Sequence, residues 1–122
     1  MGKIVAIGGG ENGHPKEDGS GFFPYETEEI DRRILELTGK SSPRVLFVPT
    51  ASGDSASYHK AIKKNFMKLG ASAVDVLNLL DGKLTNTEIK KKLSECDAVY
   101  VGGGNTLRLM NVWRKTGFDK LI

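Results

Sequence analysis

The chain has 122 residues, 39% of them hydrophobic, and a net charge of +3, which suffices for one domain with a core of ordinary composition. No apolar stretch approaches the roughly 20 residues of a membrane span, and glycine interrupts the short apolar segment near Met1, so no spanning helix or signal peptide is expected. The mild charge, with Lys63, Lys64 and Lys90 to Lys92 on expected outward helix faces and no interleaved aromatics, argues against a nucleic-acid surface.

In chain order, Lys3 to Ile7 (K-I-V-A-I) is a short β-branched run ended by Gly8-Gly9-Gly10, and it reads as a buried first strand. Glu11 to Tyr25, rich in Gly, Pro and charge, reads as a long loop at the sheet edge. Thr27 then caps a helix with Glu28 and Glu29 in its first turn and Ile30, Ile34 and Leu37 on its buried face, stopped by Gly39. Arg44 to Val48 is the second strand, ended by Pro49. Ser55 to Leu69 places Tyr58, Ile62, Phe66 and Leu69 on one helical stripe, and Ala73 to Leu77 is the third strand. Thr85 and Glu88 have capping-box spacing for a helix that uses Ile89 and Leu93. Ala98 to Val101 is the fourth strand, followed by a helix from about Thr106 to Lys115 that stops at Gly117.

Four strand–helix units in succession predict an α/β fold: three αβα layers around a parallel sheet with right-handed crossovers. Gly117 to Ile122 reads as the start of another helix. A four-stranded parallel sheet ending there exposes a strand edge that soluble proteins normally cover. Residues 1–122 are therefore expected to form the N-terminal part of one α/β domain of roughly 200 residues.

Ligands of open parallel sheets bind beyond the carboxyl ends of the strands, where three loops fall: Gly8 to Gly13, Pro49 to Ser55, and Gly102 to Asn105. The most informative is V-Y-V-G-G-G-N-T-L-R-L-M, a buried strand turning sharply into a helix whose first amides lack partners. Such a corner suits a carboxylate, a phosphate or an acyl-transfer oxyanion. The first loop, G-G-G-E-N-G, formally matches a dinucleotide fingerprint, but Pro15, Gly19, Gly21 and Pro24 delay the helix that the pyrophosphate needs. A backbone turn at Gly9 and Gly10 lining the crevice is the stronger reading.

In the second loop, Gly53-Asp54-Ser55-Ala56-Ser57 lacks the final glycine of a nucleophile elbow, so Asp54 or Ser55 reads as a helix cap. Thr50, Ser52 and Asp54 are nevertheless placed on the substrate-facing edge. Neither His14 nor His59 has an evident serine or cysteine partner. Cys96, between Glu95 and Asp97, excludes an internal disulfide, fits a reducing cytoplasmic compartment, and reads as an ordinary buried thiol raised by nearby acids. No spacing suggests a metal site, and no cofactor is expected. Trp113 reads as core or as a subunit contact.

V-Y-V-G-G-G-N-T-L-R-L-M, taken with F-V-P-T-A-S-G-D-S, I-V-A-I-G-G-G-E and E-T-E-E-I-D, resembles the aspartyl dipeptidase (peptidase E) family of serine peptidases. The resemblance covers essentially the whole chain and implies the class I glutamine amidotransferase-like fold, a flavodoxin-like three-layer arrangement. It implies that backbone amides at Gly103 or Gly104 form part of an oxyanion hole, and that Asn105 and Thr106 shape the pocket. It implies a small peptide substrate, either Asp-initiated dipeptides or, for cyanophycinase-like relatives, Asp–Arg isopeptide bonds. The family's nucleophilic serine lies on a G-x-S-A-G elbow in the next strand–helix unit, with its histidine later still. No serine of this chain matches the elbow, so these 122 residues are expected to be inactive alone. Two other readings stay open: a non-catalytic module binding a nucleotide or acidic metabolite at the same corner, and a regulatory or structural partner using Trp113 and the exposed sheet edge, which predicts a homodimer.

Overall fold

Arg44–Val48 (β1) is the hub of the molecule. The computed structural model describes residues 2–122, and in it β1 lies between two parallel partners, Ala73–Val76 (β2) and Ala98–Val101 (β3), giving the order β2-β1-β3. Arg44 faces Ala73 and Phe47 faces Val76 on one side; Val45 faces Ala98 and Val48 faces Val101 on the other. The R-V-L-F-V sequence suits this position because a central parallel strand is covered on both faces, and Val45 to Val48 are all essentially inaccessible.

Alternation along β1 divides the core into two halves. Val45 and Phe47 pack with Leu35 of α1 (Glu28–Leu37) and with Ile62 and Phe66 of α2 (Ala56–Leu69). Leu46 and Val48 pack on the other face with Ile89 of α3 (Asn86–Glu95) and Phe118 of α5 (Phe118–Leu121). Val112 and Trp113 of α4 (Thr106–Thr116) close that half. Helices therefore cover both faces, and the fold is the three-layer α/β arrangement expected. Each fully buried Phe, Leu or Ile contributes roughly 1.5–3 kcal/mol of transfer free energy, so β1 and its two helix layers dominate the stability.

The helix ends follow their sequences. Thr85 accepts from the Glu88 amide while Glu88 accepts from the Thr85 amide, a reciprocal capping box. Ser55 caps α2 through the Tyr58 amide, and Asn105 caps α4 through the Arg108 amide.

Four expectations are corrected. Lys3 to Ile7 forms no strand: among the described residues it has no strand partner, Ile4 is 95% exposed, and Lys3 Nζ donates to the Leu37 carbonyl. A β-branched run becomes a strand only where it finds a pleated, half-covered surface to join, and this one meets none. Among the described residues the sheet therefore has three strands rather than four. Second, the loop from Glu11 to Tyr25 is more ordered than its composition suggests. Residues 11–26 fold back as an antiparallel ribbon with bridges Asn12–Tyr25 and Pro15–Phe22, and Asn65 of α2 donates to the Asn12 carbonyl at 2.7 Å.

Third, Thr27 makes no side-chain cap. Its hydroxyl turns to Asp31 Oδ2 at 3.4 Å. Fourth, the buried stripe of α1 centres on Asp31 and Leu35, leaving Ile30 at 38% exposed. The helix rotates because Asp31, with no accessible surface, accepts from Tyr25 Oη at 2.5 Å and so occupies a core position.

Candidate active site

The carboxyl ends of β1 and β3 meet at the glycine corner. Gly102 extends the ladder, its amide donating to the Val48 carbonyl at 3.1 Å. A Cβ there would lie 2.9 Å from Tyr58 Cε2 and 3.0 Å from Phe47 Cε1, so bare backbone is what lets the two aromatic rings close against the strand end. Gly103 faces open space, and its amide donates to Tyr58 Oη at 3.3 Å.

Gly104 is the tightest point. Its φ is +147°, and a Cβ would overlap the Ala51 carbonyl and lie 3.0 Å from the Ser52 nitrogen. Asn105 then donates to the same Ala51 carbonyl at 2.8 Å, locking the corner onto the turn after β1. Of the amides from Gly102 to Leu107, those of Gly104, Thr106 and Leu107 have no acceptor among the described residues. Thr106 is exposed at the first position of α4. The corner therefore presents exposed N–H groups at the positive end of an eleven-residue helix.

The turn after β1 is a short 3-10 helix, Thr50–Ser52. Thr50 has no accessible surface, and its hydroxyl accepts from Trp113 Nε1 at 3.1 Å. It holds α4 onto the turn instead of facing the crevice. Ser52 Oγ donates to the Pro49 carbonyl at 2.9 Å. Asp54 takes a left-handed φ of 55°, and its Oδ2 accepts from the Leu80 amide at 2.9 Å, stapling the turn to the segment after β2. Its Oδ1 is buried without a partner, and burial pushes the carboxyl above its ordinary range. Thr50, Ser52 and Asp54 thus all make internal bonds that shape the turn on which Gly104 rests.

Gly9 and Gly10 have φ values of +116° and +115°. Gly9 lies in open space, whereas a Cβ on Gly10 would meet Thr27 Cγ2 at 2.9 Å. Beyond them the ribbon and the start of α2 enclose an open cleft of about 340 Å³ whose wall includes Glu11, Asn12, His14, Ser55, Ser57 and Tyr58. Tyr58 is shared by cleft and corner. The sequence assigned it only to the buried stripe of α2. Its place in the first turn after a loop at the carboxyl edge was the available signal.

Neither histidine ring is hydrogen-bonded to a serine or cysteine among the described residues. His59 Nε2 lies 3.3 Å from the Val74 carbonyl, and His14 Nδ1 lies 2.9 Å from Asn12 Oδ1. Cys96 is half-buried and donates to the Leu93 carbonyl; desolvation first, with Asp97 adding to it, raises its thiol. Trp113 packs edge-on against Phe118 with centroids 4.8 Å apart, a core contact. No group of metal-ligating side chains occurs among the described residues, and no helix there is long and apolar enough to cross a membrane.

The molecule is a three-layer α/β domain of the class whose ligands bind beyond the carboxyl ends of the strands. The sequence profile of peptidase family S51 matches residues 19–122, and the chain belongs to that family. It is 33% identical over its whole length to the uncharacterized peptidase YgaJ of Bacillus subtilis, covering 48% of that protein. It is 34% identical over 95 residues to peptidase E of Streptomyces coelicolor, covering 76% of this chain and 36% of the relative. A cyanophycinase of Nostoc is 27% identical over 120 residues, or 98% of this chain and 37% of the relative. A crystal structure of a protein assigned as a peptidase E from Listeria monocytogenes superposes with a TM-score of 0.62 at 32% identity, over 79% of this chain and 48% of that one. The chain thus spans between about a third and a half of the length of these relatives.

Proposed function

We propose that this chain forms the oxyanion-stabilising corner and part of the substrate wall of a serine peptidase of the peptidase E kind, which hydrolyses short Asp-initiated peptides by acyl transfer. The observation that carries the reading is the Gly104 amide, which has no acceptor among the described residues and belongs to an exposed residue packed against the Ala51 carbonyl. When a serine attacks the scissile carbonyl, the oxygen gains negative charge. A donor that is already aimed needs no reorganisation at that moment, and one such donor is worth roughly 2.7–4 kcal/mol.

Gly103 is the less available donor because its amide already bonds to Tyr58 Oη. The Thr106 and Leu107 amides extend the favourable potential into the first turn of α4. Nucleophile and general base are supplied by residues outside these 122, on the elbow unit that the family resemblance implies.

A polypeptide of the relatives' full length should hydrolyse Asp-X dipeptides and lose that activity to a serine-directed phosphonate. Activity that persists after the elbow serine is changed to alanine overturns the proposal.

A further inference from the structure

We propose that Asn12–Gly13, at the root of the ribbon, is a self-modification site: the Asn12 side-chain amide is lost as ammonia through a cyclic imide, and the product frees the ribbon from α2. Of the asparagines in the chain, only Asn12 precedes a glycine. Ring closure requires the nitrogen of the next residue to reach the side-chain amide carbon, and glycine has no Cβ to obstruct that approach. Gly13 takes a φ of +78°, a conformation that favours glycine at this position.

The local structure prepares the amide carbon for attack. Asn12 Oδ1 accepts from the His14 amide at 3.2 Å and from His14 Nδ1 at 2.9 Å. An amide oxygen can only accept, so the ring nitrogen is the donor. The first of these bonds is an Asx turn, which folds the side chain forward over the Gly13 peptide. Two donors on one oxygen draw electron density from its carbon and stabilise the negative charge that attack creates. Stacking of the imidazole on Phe23, with centroids 4.5 Å apart, holds the ring in place.

In the reaction the Gly13 nitrogen bonds to Asn12 Cγ, the Cγ–Nδ2 bond breaks, and the Gly13 proton leaves with Nδ2 as ammonia. Water then opens the imide at either carbonyl. One opening gives aspartate. The other gives isoaspartate, in which the main chain runs through Cβ and Cγ and the former Asn12 carbonyl becomes a free carboxylate.

That carbonyl is where the ribbon is anchored. Asn65, only 8% exposed, donates to it at 2.7 Å, and the Gly13 amide donates to the Pro24 carbonyl at 3.1 Å. In the closed ribbon the attacking nitrogen is tied up, so reaction awaits local opening. The His14 bonds span two residues and travel with the loop when it opens. Once isoaspartate forms, the added main-chain atom shifts the Asn12–Tyr25 register, and the ribbon no longer fits Asn65.

The test incubates the full-length polypeptide at neutral and mildly alkaline pH and follows the Asn12 peptide by mass spectrometry after digestion. That peptide should first lose the mass of ammonia and then regain that of water, with its isoaspartate and aspartate forms resolved by chromatography. Peptides carrying Asn78, Asn86, Asn105 and Asn111 should keep their masses over the same time. Asp18–Gly19 and Asp81–Gly82 share the imide chemistry, but their isomerisation leaves the final mass unchanged. Asn65→Ala should accelerate conversion about tenfold by freeing the ribbon. His14→Phe, which keeps a ring against Phe23, should slow it about tenfold through loss of one donor. In the isoaspartate fraction, exchange of the Lys16 and Phe23 amides should accelerate about tenfold while β1 exchanges as before. Asn12→Asp, which adds the charge without the extra main-chain atom, should exchange like the parent. An Asn12 peptide that keeps its mass, a rate unmoved by Asn65→Ala or His14→Phe, or an isoaspartate fraction that exchanges like the parent or like Asn12→Asp would overturn the inference.

Discussion

At the scale of single residues, three adjacent glycines have three different reasons to be glycine. Gly102 makes room for Tyr58 and Phe47, Gly103 faces open space, and Gly104 combines a positive φ with contact against the Ala51 carbonyl. Gly104→Ala should therefore cost about 1–3 kcal/mol in backbone strain alone, with further loss as the turn after β1 is displaced. On the proposed function, the same change in a polypeptide of the relatives' full length should lower kcat about a hundredfold by misaiming the amide. Gly103→Ala should stay within about 0.5 kcal/mol of the parent in urea denaturation. Equal stability of the two variants would remove the argument that Gly104 is the fixed donor.

Asp31 is the other residue whose environment decides its chemistry. Burial holds its carboxyl above the ordinary value, and the bonds from Tyr25 and Thr27 only partly oppose this. Because the folded pKa is raised, the contribution of Asp31 to stability is fully present below the unfolded pKa and is lost as pH rises through the folded one. The wild-type protein should therefore gain stability relative to Asp31→Asn as pH falls from about 8 to about 4. Urea midpoints of the two proteins measured across that range check the sign, since the other carboxylates cancel in the difference.

At the scale of elements, the ribbon is tied to α2 through the Asn65 side chain. Asn65→Ala leaves the Asn12 carbonyl without its partner, a loss of about 1–3 kcal/mol if the carbonyl stays buried. Hydrogen exchange should then accelerate about tenfold or more at Gly13, Lys16, Phe23 and Glu26, whose amides bond within the ribbon. The β1 amides should exchange as before. Uniform acceleration would mean that ribbon and sheet unfold as one unit.

Legibility divides along the same line. β1, β3 and the Thr85 capping box were readable because each is specified by consecutive residues: an apolar run, a glycine stop, a Ser/Thr-x-x-Glu spacing. The glycine corner was readable for the same reason. Lys3 to Ile7 misled because a β-branched run states a preference and not a partner. The tilt of α1 was hidden because the partner that draws Asp31 inward, Tyr25, arrives from the ribbon. The cleft was hidden for a related reason. It joins Glu11 and His14 to Ser57 and Tyr58, residues more than forty positions apart in sequence, and no local pattern encodes that pairing.

At the scale of the whole molecule, the described residues pair a corner of unpartnered main-chain amides with serines that have no adjacent imidazole. Ser55 Oγ bonds the Tyr58 amide and Ser57, Ser52 and Ser94 donate to main-chain carbonyls, and Ser72 reaches the Pro43 carbonyl. No serine hydroxyl is hydrogen-bonded to an imidazole among the described residues, so none there has the adjacent base that activation requires. The 122-residue polypeptide alone should therefore give no turnover of Asp-X dipeptides above background, and a serine-directed phosphonate should leave its mass unchanged. The cleft is where this expectation is most exposed, because His14, Ser55 and Ser57 share its wall. Phosphonylation of Ser55 or Ser57 in the isolated chain would show that an imidazole reaches a serine there. The cleft would then be a reaction centre in its own right, and the division of labour between corner and elbow would fail.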